Sequence, residues 1–157
     1  MESSRDETDA ERYDRNWQDL VQELRVAQTG VQVLAGFLLT LPFSSRFDEI
    51  GDGHRTIYLV AFSLAVVTVG LMTAPASLHR ILFGRRKKDV VVHVGDAFAK
   101  AGLAAMGLTL ATVVLLIFGV VIGDTAGIIA GAAVFVFYVV VWVALPVSLL
   151  RRGTEAT

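Results

Sequence analysis

Arg25, Gln28, Thr29, Gln32, Gly36 and Thr40 are related by steps of three and four residues, which on a helix keeps them within about a third of a turn of one another. A guanidinium, two amides and two hydroxyls in one stripe could do either of two things. They could line a hydrated path or binding wall for an ion or small polar solute. They could also hydrogen-bond to neighbouring helices beside a small-residue contact at Gly36.

Two further groups could do chemistry. Glu23 lies about one turn ahead of this stripe and is the candidate titrating group, because proton-coupled transport needs a carboxylate that loads and releases a proton partway across a membrane. Asp89, His93, Asp96 and Lys100 form a second stripe at i, i+4, i+7 and i+11, opposite Val90, Val91, Val94, Ala97 and Phe98. One imidazole and two carboxylates could bind a divalent metal or relay protons, and the same pattern describes the wet face of an interfacial helix; the second reading is the expectation, so no metal site is assigned. A basic segment holds His79, Arg80, Arg85, Arg86, Lys87 and Lys88, a composition that attracts anionic lipid. It lacks interleaved aromatics and a groove-like framework, so nucleic acid is not an expected partner. No phosphate-binding glycine loop, nucleophile elbow or zinc signature occurs, and neither a cofactor nor an enzymatic activity is expected.

The elements that must position these groups are set by where charge is missing. Arg25 to Arg46, Arg55 to Arg80, Lys100 to Asp124 and Asp124 to Arg151 enclose 20, 24, 23 and 26 residues without Lys, Arg, Asp or Glu. A hydrocarbon core of roughly 30 Å needs about 20 apolar residues at ~1.5 Å rise each, so each window is long enough to cross a membrane. Composition agrees: 54% of residues are hydrophobic and the mean hydropathy is +0.61. The absence of cysteine excludes a disulfide framework, a thiolate metal site and cysteine lipidation. The polar, acidic first 25 residues do not fit a cleavable signal peptide, so the first span is expected to direct insertion.

The predicted protein is therefore all-α: four transmembrane helices at about 26–43, 55–76, 97–122 and 126–150, preceded by an amphipathic interfacial helix. Residues 1–12 read as a disordered acidic tail, 13–152 as one membrane domain and 153–157 as a short C-terminal tail. Tyr13, Trp17, Leu20, Val21 and Leu24 recur at helical spacing, and with no breaker before the first span this segment either lies on the membrane or runs straight into it. Asp89 to Lys100 reads as a second amphipathic segment ahead of the third span. Gly123 and Asp124 form a tight turn, extending as far as Gly127, and the pairs Gly119 with Gly123 and Gly127 with Gly131 suit close packing between the third and fourth spans or between protomers.

Twelve of the fourteen basic residues (Arg5, Arg12, Arg15, Arg25, six from Arg80 to Lys100, Arg151 and Arg152) fall on one side of this topology and only Arg46 and Arg55 on the other. The basic side is the cytoplasmic one, which places both termini in the cytoplasm of a multi-pass cell-membrane protein. Pro75, Ser77, Leu78 and Arg80 close the second span in the same order as Pro146, Ser148, Leu149 and Arg151 close the fourth. That order fits a duplicated hairpin, and it also fits the simple habit of helices leaving a membrane through Pro and Arg.

RNWQDLVQELRVAQTGVQVLAGFLLTLPF from Arg15, with RTIYLV from Arg55 and APASLHRILF from Ala74, resembles a family of small bacterial four-span proteins of unknown function, some of which are labelled sodium/proton antiporter. The run from Gln22 to Gln32 is the most specific part. The resemblance implies a four-span helical fold and a transport activity to be weighed; it carries no catalytic residues. Two functions follow as expectations: a non-enzymatic structural, accessory or regulatory membrane protein, working in a homo-oligomer or larger complex, or a cation/proton antiporter or other small-solute transporter that needs more than one copy. The surroundings of Gln28 and Gln32 separate them, since a transporter requires a water-accessible cavity there.

Overall fold

The computed structural model describes residues 9–82 and 88–154, and every regular element among them is helical. α1 spans Asp9–Thr40, α2 Asp52–Leu82, α3 Lys88–Val121, α4 Asp124–Val139 and α5 Leu145–Thr154, with short 3-10 turns at Leu41–Phe43 and Phe47–Glu49 and a π-helical turn at Val140–Ala144. Four stretches are long and apolar enough to cross a membrane: Val21–Phe43, Asp52–Leu78, His93–Val121 and Asp124–Leu149.

Helix boundaries follow local chemistry. α1 carries its amphipathic first turns into the first span without interruption, and it already includes Asp9 to Arg12 of the expected tail. α3 likewise absorbs Asp89 to Lys100, so the second amphipathic segment is the beginning of the third span helix and no separate element. Nothing between Val94 and Gly102 forces a break, since Gly95 and Gly102 are both buried helical residues. Gly123 alone makes the turn into α4: its φ of 134° lies where only glycine is comfortable, and its N–H with that of Ile122 closes on the Phe118 carbonyl. Gly127 belongs to the helix that follows.

Prolines mark the other irregularities. Pro75 lies inside α2, fully buried. Pro146 follows a π-helical turn in which the Leu145 N–H reaches back five residues to Val140. A proline ring clashes with the carbonyl four residues earlier and offers it no N–H, so widening the preceding turn relieves the conflict. The two prolines of the sequence repeat thus sit differently, Pro75 buried and Pro146 exposed.

The contacts divide the chain into two compact units, Met1–Phe37 with Ala65–Ala105, and Leu38–Leu64 with Met106–Thr157. In the first, Leu24 and Val31 of α1, Ala65, Thr68 and Met72 of α2, and Ala99 of α3 are buried. A Cβ added at Gly102 would stand 2.9 Å from Met72 Cγ, so glycine there lets α3 close on the methionine. In the second, Tyr58 and Ala61 of α2 and Ala111, Val113 and Leu116 of α3 are buried. Here α3 and α4 meet through glycine. A Cβ on Gly127 would fall 2.6 Å from the Leu115 carbonyl oxygen and 2.9 Å from Gly119 Cα, and one on Gly131 2.7 Å from Leu115 Cβ. Gly119, Gly127 and Gly131 thus make the close approach expected of small residues, while Gly123 makes the turn.

The outer face of α4 is uncovered: Ile128, Ile129, Phe135, Val136 and Phe137 are all exposed. Exposed apolar surface on this scale is incompatible with water and is what lipid-facing helices present. Because the atoms that Gly127 meets are backbone, they cannot swing aside. Gly127→Ala is expected to destabilise the protein by about 1–3 kcal/mol, whereas Gly70→Ala, where nothing lies within 4 Å of the new Cβ, should be neutral or slightly stabilising. Reversible denaturation in mixed micelles checks the contrast.

Candidate functional site

On α1 the inward face is aliphatic. Leu24, Val31 and Leu38 are buried, and Val21, Gln28 and Ala35 half-buried between them, which is a 3.5-residue seam. The polar stripe runs alongside this seam and largely outside it. Gln28 shares its edge, whereas Arg25, Thr29, Gln32, Gly36 and Thr40 are exposed. Thr29 satisfies its hydroxyl locally, Oγ1 donating to the Arg25 carbonyl at 2.9 Å. Among the described residues the amides of Gln28 and Gln32 have no hydrogen-bond partner. Glu23, the candidate titrating group, is exposed on α1.

On α3, Asp96 accepts from Lys100 Nζ at 2.6 Å, an i,i+4 ion pair with both side chains well exposed. His93 is exposed too and has a partner of its own. The side chain of Asp89, and those of Arg85, Arg86, Lys87 and Lys88 in the basic segment, lie outside the described residues; Arg80 is exposed. No cluster of three His, Cys, Asp or Glu able to hold a metal occurs among the described residues.

The richest polar grouping lies in the second unit, where α2 and α4 begin. His54 Nε2 stands 3.2 Å from Asp124 Oδ1, joining the first turns of these helices. The imidazole also fills the space left by Gly119, whose absent Cβ would sit 3.0 Å from Nε2. Glycine on α3 therefore serves two contacts, one to α4 and one to this histidine. Asp124 is 82% exposed at its side chain, which limits the contact to the modest worth of a solvated one.

One residue on, Arg55 donates from Nη2 to the Asp48 carbonyl at 3.0 Å, approaches the carboxylates of Asp48 and Asp52 at 3.7 and 3.9 Å, and lies 6.0 Å from the Phe47 ring centre. Tyr58 packs edge-on against the same ring at 5.2 Å. Together they pin the 44–51 loop to α2. Beneath it is an apolar cavity of about 230 Å³, lined among others by Leu41, Phe47, Tyr58, Leu116 and Val120, with Arg46 its charged residue. Such a space accepts a hydrocarbon chain and repels a bare ion.

Tyr58 has a second task. Its hydroxyl donates to the Leu38 carbonyl at 3.0 Å in a buried site. The helical donor to that carbonyl would be the N–H of residue 42, and residue 42 is proline. The phenol replaces the missing donor, which matters most where no water can do so.

Sequence reasoning singled out neither His54 nor Tyr58. The signal for His54 was topological, since the second and fourth spans must begin on the same side and each carries an ionisable residue in its first turn. For Tyr58 the signal was Pro42, whose orphaned carbonyl demands a donor from elsewhere.

Residues 6–146 match the model of a family of unknown function, DUF6328. The chain belongs to this family. No curated protein and no solved structure matches it. The DUF6328 match covers all of the polar stripe on α1 and the His54–Asp124 pair, and it ends at Pro146, just after the π-helical turn.

Tyr58→Phe is expected to cost about 1 kcal/mol, the typical net worth of a hydrogen bond, and up to about 3 if the Leu38 carbonyl stays unmet. Pro42→Ala restores an N–H at that position, so in its background the loss from Tyr58→Phe should shrink. A double-mutant cycle on denaturation free energies reads the coupling; equal losses in both backgrounds would sever the link between Pro42 and Tyr58.

Proposed function

We propose that this DUF6328 protein is a small polytopic membrane protein without enzymatic activity, working as a structural, accessory or regulatory component of the cell membrane. The Lys and Arg distribution supports cytoplasmic termini, and the basic segment around Arg80 to Lys88 would then face anionic lipid on that side.

The observation that carries this reading is the placement of the two glutamines. A solute path through one protomer would need Gln28 and Gln32 on the wall of an enclosed polar space. Gln32 instead is exposed outside the buried seam of α1, and Gln28 is half-buried among the aliphatic side chains of that seam. The buried polar side chains among the described residues are Thr68 and Thr109, neither of which ionises. No described carboxylate is buried in a span. Outward polar groups on a membrane helix are suited to meeting another helix.

The alternative is a cation/proton antiporter or other small-solute transporter. It draws on the same outward stripe, which could line a path only between copies, and on the antiporter label attached to proteins this sequence resembles.

Purified protein reconstituted in liposomes carrying a pH dye, under imposed sodium, potassium and lithium gradients, decides between them. The accessory reading expects no proton flux above empty liposomes and no change in Glu23→Gln or in a Gln28→Leu, Gln32→Leu double variant. Cation-dependent flux that disappears in those variants would establish transport along α1.

A further inference from the structure

Gln32 is the twelfth residue of the 23-residue span Val21–Phe43, eleven residues from either end. The nearest charged residue on the helix is Arg25, seven residues away, so at ~1.5 Å per residue the amide lies on the order of 10 Å from that charge and 16 Å from Phe43, within the apolar stretch. It is exposed, and among the described residues it has no hydrogen-bond partner. Hydroxyls in the spans escape this problem: Thr29 donates to Arg25 O, Thr73 to Val69 O and Thr112 to Leu108 O, each on its own helix. A glutamine amide has two donors and an acceptor at the end of a longer chain, and the helix around it has already paired its backbone groups. Its partner must come from outside the protomer.

The face around Gln32 is open. One turn on, at Gly36, nothing lies within 4 Å of where a Cβ would be, so another helix can approach the backbone there. Gln32, Gly36 and Thr40 follow one another at intervals of four, the spacing at which small residues let membrane helices cross closely.

We propose that a second copy of this chain occupies this face, with two α1 helices crossing side by side at Gly36 and the Gln32 amides hydrogen-bonding to each other one turn away. This rests on the reading of the chain as a membrane protein with an outward seam. The occupant follows from chemistry and symmetry. A two-fold axis along the membrane normal puts identical residues at identical depth, so Gln32 meets Gln32, and an amide is its own complement, with C=O accepting from NH₂ in both directions. A lipid chain offers neither group. The crossing also accommodates Arg25, which lies on the same stripe: helices that cross at about 40° near Gly36 diverge along the eleven residues to Arg25, leaving the two guanidiniums well apart at the interface.

The chain has no cysteine, so single cysteines report without background. Full-length protein in phosphatidylcholine vesicles at low density is oxidised with Gly36→Cys as the test position and Ile128→Cys, exposed on α4, as the reference. Covalent dimer is expected at least ten-fold faster at Gly36→Cys. Independently, chains labelled at a cysteine appended after Thr157 are counted by photobleaching steps. Gln32→Leu is expected to weaken dimerisation about ten-fold with unchanged helix content, since the side chain is exposed and forms no hydrogen bond among the described residues, and Gln32→Asn, which keeps an amide, to weaken it less. Monomers at every density, equal cross-linking at both positions, or a dimer indifferent to Gln32→Leu would each overturn the proposal. Ion flux in the same vesicles reads separately: flux with the dimer intact sinks the accessory function alone, and a silent monomer sinks the dimer alone.

Discussion

Hydrocarbon supplies no hydrogen bonds, and that constraint shapes this chain more than any single contact. Every backbone group in a span has to find a partner within the protein. Long uninterrupted helices meet the demand over most of the sequence, and the departures occur at proline. Pro42 removes the N–H that would serve Leu38, and Tyr58 supplies a hydroxyl from the next helix. Pro146 is preceded by a π-helical turn whose closing bond runs from Leu145 to Val140. At Pro42 the missing donor is replaced by a side chain from another helix, and at Pro146 the helical pitch changes just ahead of the ring.

Helix packing then cannot rely on expulsion of water, because lipid is as apolar as leucine. What remains is close approach. Between α3 and α4 it is obtained with Gly119, Gly127 and Gly131: a methyl group on Gly127 would meet backbone atoms of Leu115 and Gly119, and one on Gly131 the Leu115 Cβ. Gly119 doubles as the seat of the His54 ring, so the glycine that lets the helices touch also brings His54 within 3.2 Å of the Asp124 carboxylate. Substitution there would disturb two contacts through one atom.

Much of this was legible in the sequence. The charge-free windows locate four helices because length and hydropathy alone decide what can cross a bilayer. Their exact starts were less legible, since the polar turns of α1 and α3 are continuous with the spans and only a breaker, absent in both places, would have announced a boundary. The small-residue pairs pointed to the α3–α4 contact, though which glycine turns and which packs depends on φ at Gly123. Contacts between residues distant in sequence, such as Tyr58 with Leu38, leave only the indirect trace of a proline that orphans a carbonyl.

The polar stripe shows where sequence patterns stop being sufficient. A periodic row of glutamine and threonine on a membrane helix implies a partner, but the period does not say on which side the partner lies. In α1 the question is settled by the competing row, Leu24, Val31 and Leu38, which takes the inward position. Aliphatic side chains fill an interior densely with no donors to satisfy, whereas an amide turned inward would require a matching group at that depth. The described core offers Thr68 and Thr109, both already partnered. Gln32 is thus left on the outer side of a helix in a solvent that cannot hydrogen-bond it, and the same constraint that fixes the fold of one chain becomes a reason for that chain to meet another.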